Sequence, residues 1–138
     1  MKKVLGQMVI VVLVLASVTA CVSEEQIIDS VREGHFHSHA DSDPIGTAFA
    51  EVAETTEWSY NGEASEGLHT VTLDAEIGHA QVDEMNSLRM IFEVNEGDWS
   101  FQITNAYWNG DRMDNMTLGL MIDSVYATYN NRDEGNEV

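Results

Sequence analysis

The sequence predicts an α+β domain: a four-stranded antiparallel sheet with one face covered by helices, in the order helix, four strands, helix. Three observations predict it. Ile45, Ala48, Phe49, Val52 and Ala53 recur at the spacing of one helical face. Four later runs carry strand signals, and the longer ones alternate apolar and polar residues. Leu118, Met121, Ile122, Val125, Tyr126 and Tyr129 then return to the helical period.

The first helix is placed at Pro44 to Glu54. Asp43 can cap its N–H groups, and Pro44 suits the first helical position. Trp58-Ser59-Tyr60 is a short strand that ends in an Asn61-Gly62 turn. Between Leu68 and Ile77, Val71, Leu73, Ala75 and Ile77 alternate with Thr70, Thr72, Asp74 and Glu76. Leu88, Met90, Phe92 and Val94 share a face of the third strand, and Asn95-Glu96-Gly97-Asp98 reads as a hairpin turn. Trp99, Phe101, Ile103 and Tyr107 take the apolar parity of the fourth strand, which leaves Trp108 pointing out beside Asn109-Gly110. The last helix can be capped by Asn115 or Thr117; Gly119 inside it costs about 1 kcal/mol relative to alanine. One apolar and one polar face per strand imply a sheet with one face wet. The domain is therefore assigned to 44–129, followed by a flexible acidic tail at 130–138.

The start of the chain has a different character. Lys2 and Lys3 precede an apolar run from Met8 to Ala16, the pattern of a secretory signal peptide over residues 1–20. Val18-Thr19-Ala20-Cys21 resembles the lipobox of bacterial lipoproteins. The resemblance implies diacylglycerol (with palmitate-type chains) on Cys21, cleavage before it, and acylation of the new amino terminus. An uncleaved membrane anchor over Val4 to Ala20 is the alternative, and it would leave the domain on the same side. Two or three acyl chains anchor stably where one does not. Val22-Ser23 lacks the aspartate that resembles an inner-membrane retention signal, which favours the outer membrane in a two-membrane host. Residues 21–43 then read as a lipid-anchored polar tether. Its apolar patch at Ile27, Ile28 and Val31 suits one or two helical turns or a short strand.

Composition narrows the functions. Cys21 is the one cysteine, so lipidation leaves no thiol for a disulfide, a nucleophile or a zinc site. After cleavage, four arginines face 24 acids, a formal charge of −20 with no lysine. Such a surface repels nucleic acid and anionic headgroups. It suits basic partners, divalent cations or a saline medium, and it also serves plain solubility.

One stretch has ligand character: HFHSHADSD, where His35, His37 and His39 alternate. On an extended chain the three would share a face and could bind a divalent metal such as zinc, copper or nickel. His69 and His79 are candidates to complete a shell, although His69 has the parity of a satisfied residue at the core edge. No phosphate loop or zinc-protease motif is present, and no cofactor is implied. Trp108 and Tyr60 are candidate interface residues, because exposed aromatics beside turns serve as anchors.

The sequence Ile45-Gly46-x-Ala48-Phe49, then Trp58, the alternating strands, Asn109-Gly110 and Leu118…Ile122…Tyr126 resembles a small domain of secreted bacterial lipoproteins. More loosely, the layout is similar to the beta-lactamase-inhibitor-like fold, which places two helices before its strands. Neither resemblance implies a catalytic residue. The expected function is a non-enzymatic, lipid-anchored cell-envelope protein that binds a protein or peptide partner or has an accessory envelope role. The alternatives are a metal-binding lipoprotein using the histidine stretch, and an inhibitor or immunity-type protein with an acidic face.

Overall fold

A computed structural model describes residues 22–79 and 82–135. The expected signal peptide over residues 1–20, Cys21 and the last three residues lie outside the described residues. The chain is an α+β domain with an antiparallel sheet. In order, the described elements are α1 (Glu24–Arg32), a 3-10 turn (His37–His39), α2 (Ile45–Val52), β1 (Thr55–Ser65), β2 (Leu68–His79), β3 (Val82–Asn95), β4 (Phe101–Trp108), β5 (Asp111–Arg112) and α3 (Asn115–Gly135). The strands lie side by side in sequence order, each antiparallel to the next. Among the described residues no helix is long and apolar enough to cross a membrane.

The largest correction concerns the expected tether. Residues 24–32 form a helix, and its Ile27, Ile28 and Val31 are buried in the main core. The cause is local and legible. Ser23 accepts a bond from the Gln26 N–H, and the Gln26 side chain accepts one from the Ser23 N–H, a reciprocal capping box. Glu24 and Glu25 favour the helix start electrostatically. Two helices thus precede the sheet instead of one. The other end differs too: α3 continues through Gly135, into the expected tail.

The core lies between the helices and the inward faces of β2 and β3. Val71, Leu73, Leu88, Met90, Phe92 and Val94 meet Ile27, Val31, Ile45 and Phe49 there. Phe92 is central: its ring lies 6.4 Å from Phe36, 6.1 Å from Trp58 and 6.0 Å from Phe101. Each such side chain contributes about 1.5–3 kcal/mol by leaving water. α3 packs on α2 through Ala48, Ile122, Tyr126 and Tyr129, and Val125 reaches the main core.

Two expected caps are replaced. Asp43 does not cap α2, whose N-cap is Pro44 with no side-chain bond. The Asp43 carboxylate instead accepts a bond from the Tyr129 hydroxyl, and its carbonyl accepts one from Tyr126 at 3.4 Å. Burial, with the charge of Asp43, pushes the Tyr126 phenol up to about 12. At α3, neither Asn115 nor Thr117 caps. Asp114 does, accepting the Thr117 N–H at 2.7 Å, and this lowers its carboxyl below the ordinary 3.8. A lowered folded pKa means the cap contributes fully above the unfolded value and is lost as pH falls through the folded one. The Thr117 amide shift should therefore titrate with a midpoint below 3.8. A midpoint at or above that value would contradict the cap.

A bulge in β4 changes which side chains face the helices. Ile91 pairs with Asn105 but Phe92 pairs with Ile103, so Thr104 is an extra residue. Before the bulge, Phe101 and Ile103 face the helices; after it, Ala106 and Trp108 do, and Tyr107 turns to the open face. Alternation had placed Tyr107 inward and Trp108 outward. Trp99 is corrected as well. It stands in the turn before β4 with φ 59° and is 41% exposed, outside the strand and the core.

Candidate functional site

The 3-10 turn disperses the histidine stretch. The chain from His37 to His39 is coiled, so alternate side chains do not share a face as they would on a strand. His39 is engaged elsewhere. Its Nε2 lies 2.8 Å from Asp123, and its ring stacks on Tyr126 at 4.2 Å with the planes 6° apart. His35 and His37 remain exposed, beside a cleft that also includes Phe36, Ala40, Trp99 and Ile103. Among the described residues, no three histidine, cysteine or acidic side chains cluster closely enough to hold a metal. The expected site at His35, His37 and His39 is thus not assembled; one of its members instead fastens the N-terminal segment to α3.

His69 is buried, 5% exposed, and fully engaged. Its Nδ1 lies 2.8 Å from the Tyr60 hydroxyl and its Nε2 lies 2.8 Å from Glu96. This chain of bonds ties β1, β2 and the β3–β4 turn together. It also removes Tyr60 as a free anchor, because the hydroxyl has a partner and the ring packs against the core. Desolvation raises the Tyr60 phenol, assisted by Glu63, Glu24 and Glu96.

Trp108 has a different setting. With Met113, Thr117, Leu120 and Met121 it lines a cleft of about 360 Å³. Of the lining residues Leu120 is 64% exposed, and Met116, one helical turn before it on α3, is 78% exposed. The first two turns of α3 are thus apolar on both sides: Leu118 and Met121 pack inward while Met116 and Leu120 face solvent. Three of the five methionines after Cys21 stand here. Methionine-rich surfaces adapt their shape to varied partners. Gly119 lies in the same stretch, and a Cβ there would meet nothing within 4 Å. No packing inside the fold accounts for this helix-weakening residue. Trp108 is therefore a groove wall, where sequence parity had made it a protruding anchor. The signal that sequence reading missed was the Met116–Leu120 pair, which lies off the core stripe.

The groove and the chain entry occupy opposite corners of the sheet. Glu24 is close enough to act on Tyr60, which pairs across the sheet through Val71 and Phe92 to Ile103. Trp108 is three strands over and, with the bulge discounted, four register positions further along, from Phe92 to Leu88 on β3, roughly 14 Å across and roughly 13 Å along the strands. The entry corner is acidic, with Glu24, Glu63 and Glu96 all bearing on Tyr60.

Comparison with protein-family models, with curated proteins and with solved structures finds no match for this chain.

Proposed function

We propose that this chain is a non-enzymatic, lipid-anchored envelope protein that holds a protein partner in the groove at Trp108, Met113, Leu120 and Met121. The two most exposed large apolar side chains among the described residues, Met116 and Leu120, stand one turn apart on α3 with Leu120 in the groove, and this carries the reading. Contiguous exposed apolar groups on a soluble face mark interaction sites. The lipobox-like Val18-Thr19-Ala20-Cys21 supports the anchor.

Geometry favours a protein over the bilayer as occupant. Cys21 precedes Glu24 by three residues, so a lipid there would lie within roughly 10 Å of the start of α1. The groove opens at the far corner of the sheet, away from that attachment. The lipid alone would hold the start of α1 near the membrane, since the acidic corner repels anionic headgroups, and the apolar groove lies at the other corner of the sheet.

Two measurements test the parts separately. A palmitate analogue should label the wild type and not Cys21→Ser; label on the variant would contradict the anchor. Leu120→Asp should lower recovery of the bound partner at least about tenfold, while an exposed site leaves the thermal midpoint nearly unchanged. Equal recovery would remove the groove from the account.

A further inference from the structure

We propose a second binding site: the outer edge of β4, which accepts an extended, basic peptide as an added strand. β5 covers only Tyr107 and Trp108 of that edge. The Ser100 carbonyl is turned toward β3, where it accepts the Asn95 N–H, and the Ala106 carbonyl is turned outward, to Met113. Alternation along the strand places the N–H and C=O groups of Phe101 and Ile103 on the outer edge. Among the described residues, no loop or turn backbone bonds to them.

The bulge at Thr104 limits the open edge to a short stretch, but that stretch lacks two other features that normally block strand addition. From Trp99 to Tyr107 the sequence has no charged residue and no proline. The opposite edge is guarded: β1 carries Glu57 and Glu63, and its register shifts twice near Gly62. Beside the open stretch of β4 runs a cleft of about 490 Å³, walled by His35, Phe36, His37, Ala40, Trp99 and Ile103. An added strand would place alternate side chains against this largely apolar wall, which is how strand-addition sites acquire preference.

Charge selects the occupant. The lining holds no acid, lysine or arginine, while in sequence Asp41 adjoins Ala40, Asp98 adjoins Trp99, and the chain after Cys21 carries −20. A second copy would bring an equal negative charge to the same edge. A peptide that alternates apolar and basic residues meets the wall and the field together.

The test uses the full chain after cleavage, isotope-labelled in neutral detergent. The probes are an eight-residue peptide alternating valine with lysine, its glutamate counterpart, and the lysine peptide N-methylated on alternate amides. The lysine peptide should bind saturably, move the amides of Phe101 to Asn105 and slow exchange at Phe101 and Ile103. The glutamate peptide should bind at least about tenfold more weakly at low salt. N-methylation in the pairing register should abolish binding, and so should Ile103→Pro, a substitution that an edge strand tolerates. If Ile103→Pro proves unfolded, the N-methylated peptide decides alone. Equal binding of that peptide, shifts centred elsewhere, or no saturation by about 2 mM would overturn the proposal. A concentration-dependent dimer that protects the same two amides would assign the edge to a second copy and overturn it too.

Discussion

Val31→Asp should unfold this domain or bring it close to unfolding. Val31 is 0% exposed and Ile27 beside it is 1% exposed, so the carboxylate would have no route to water. An unpaired buried charge costs several kcal/mol, commonly about 3–5. A domain of this size has about 5–15 kcal/mol in hand. With about 1–3 kcal/mol lost per molar urea, the midpoint should fall by at least about 1 M. The control is Glu33→Ala, at an exposed position just beyond the helix, which should move it little. An unchanged midpoint in Val31→Asp would mean that residues 24–32 are a tether after all.

Deleting Thr104 and deleting Gln102 should have opposite outcomes. Thr104 has no register partner on β3: Phe92 pairs with Ile103 and Ile91 with Asn105. Removing Thr104 leaves those pairs in place and keeps Ala106 and Trp108 on the core side, so the urea midpoint should move little. Its one side-chain bond, from the hydroxyl to the Ile91 carbonyl, is lost. Gln102 pairs with Glu93, and removing it sets Phe101 and Ile103 side by side, so one of the two must leave the helix-facing side or the register must slip. Losing a large packed side chain costs about 2–5 kcal/mol, and the midpoint should fall by about 1 M or more. Equal effects of the two deletions on the urea midpoint would mean that Thr104 is not an extra residue.

These variants also mark where the sequence was legible. The faces of β2 and β3 were readable because both strands are central and regular, so period-two alternation maps directly onto burial. β4 was not, because a bulge carries no composition signal here: Thr104 is an ordinary strand residue. Trp99 fitted the strand parity, but its left-handed φ of 59° is set by the turn in which Asp98 accepts bonds from Ser100. α1 was legible in principle, through Ser23-x-x-Gln26 ahead of Ile27, Ile28 and Val31. A short amphipathic segment beside a lipobox-like sequence reads equally well as linker, and tertiary burial decided between the two.

The candidate site follows the same pattern. The histidine stretch looked rich in ligands because alternation was read onto an extended chain. The chain there coils into a 3-10 turn, and His39 bonds to Asp123, 84 residues away in sequence. Trp108 was singled out for an exposure it does not have, yet it does line the apolar groove. Leu120, the exposed member of that groove, and Met116 one turn before it were hidden by a helix whose apolar residues on one face sufficed to explain the fold.

The central claim is that the apolar groove of an envelope-anchored domain holds a protein partner. Site-specific photo-crosslinking in intact cells tests it most directly, with the photoreactive residue placed at Leu120 and, as a control, at exposed Ala127 on the same helix. The account predicts one discrete heavier adduct from Leu120 in the membrane fraction, lost when Met116→Asp is added, and none from Ala127. No adduct from Leu120, or the same adducts from both positions, would contradict it.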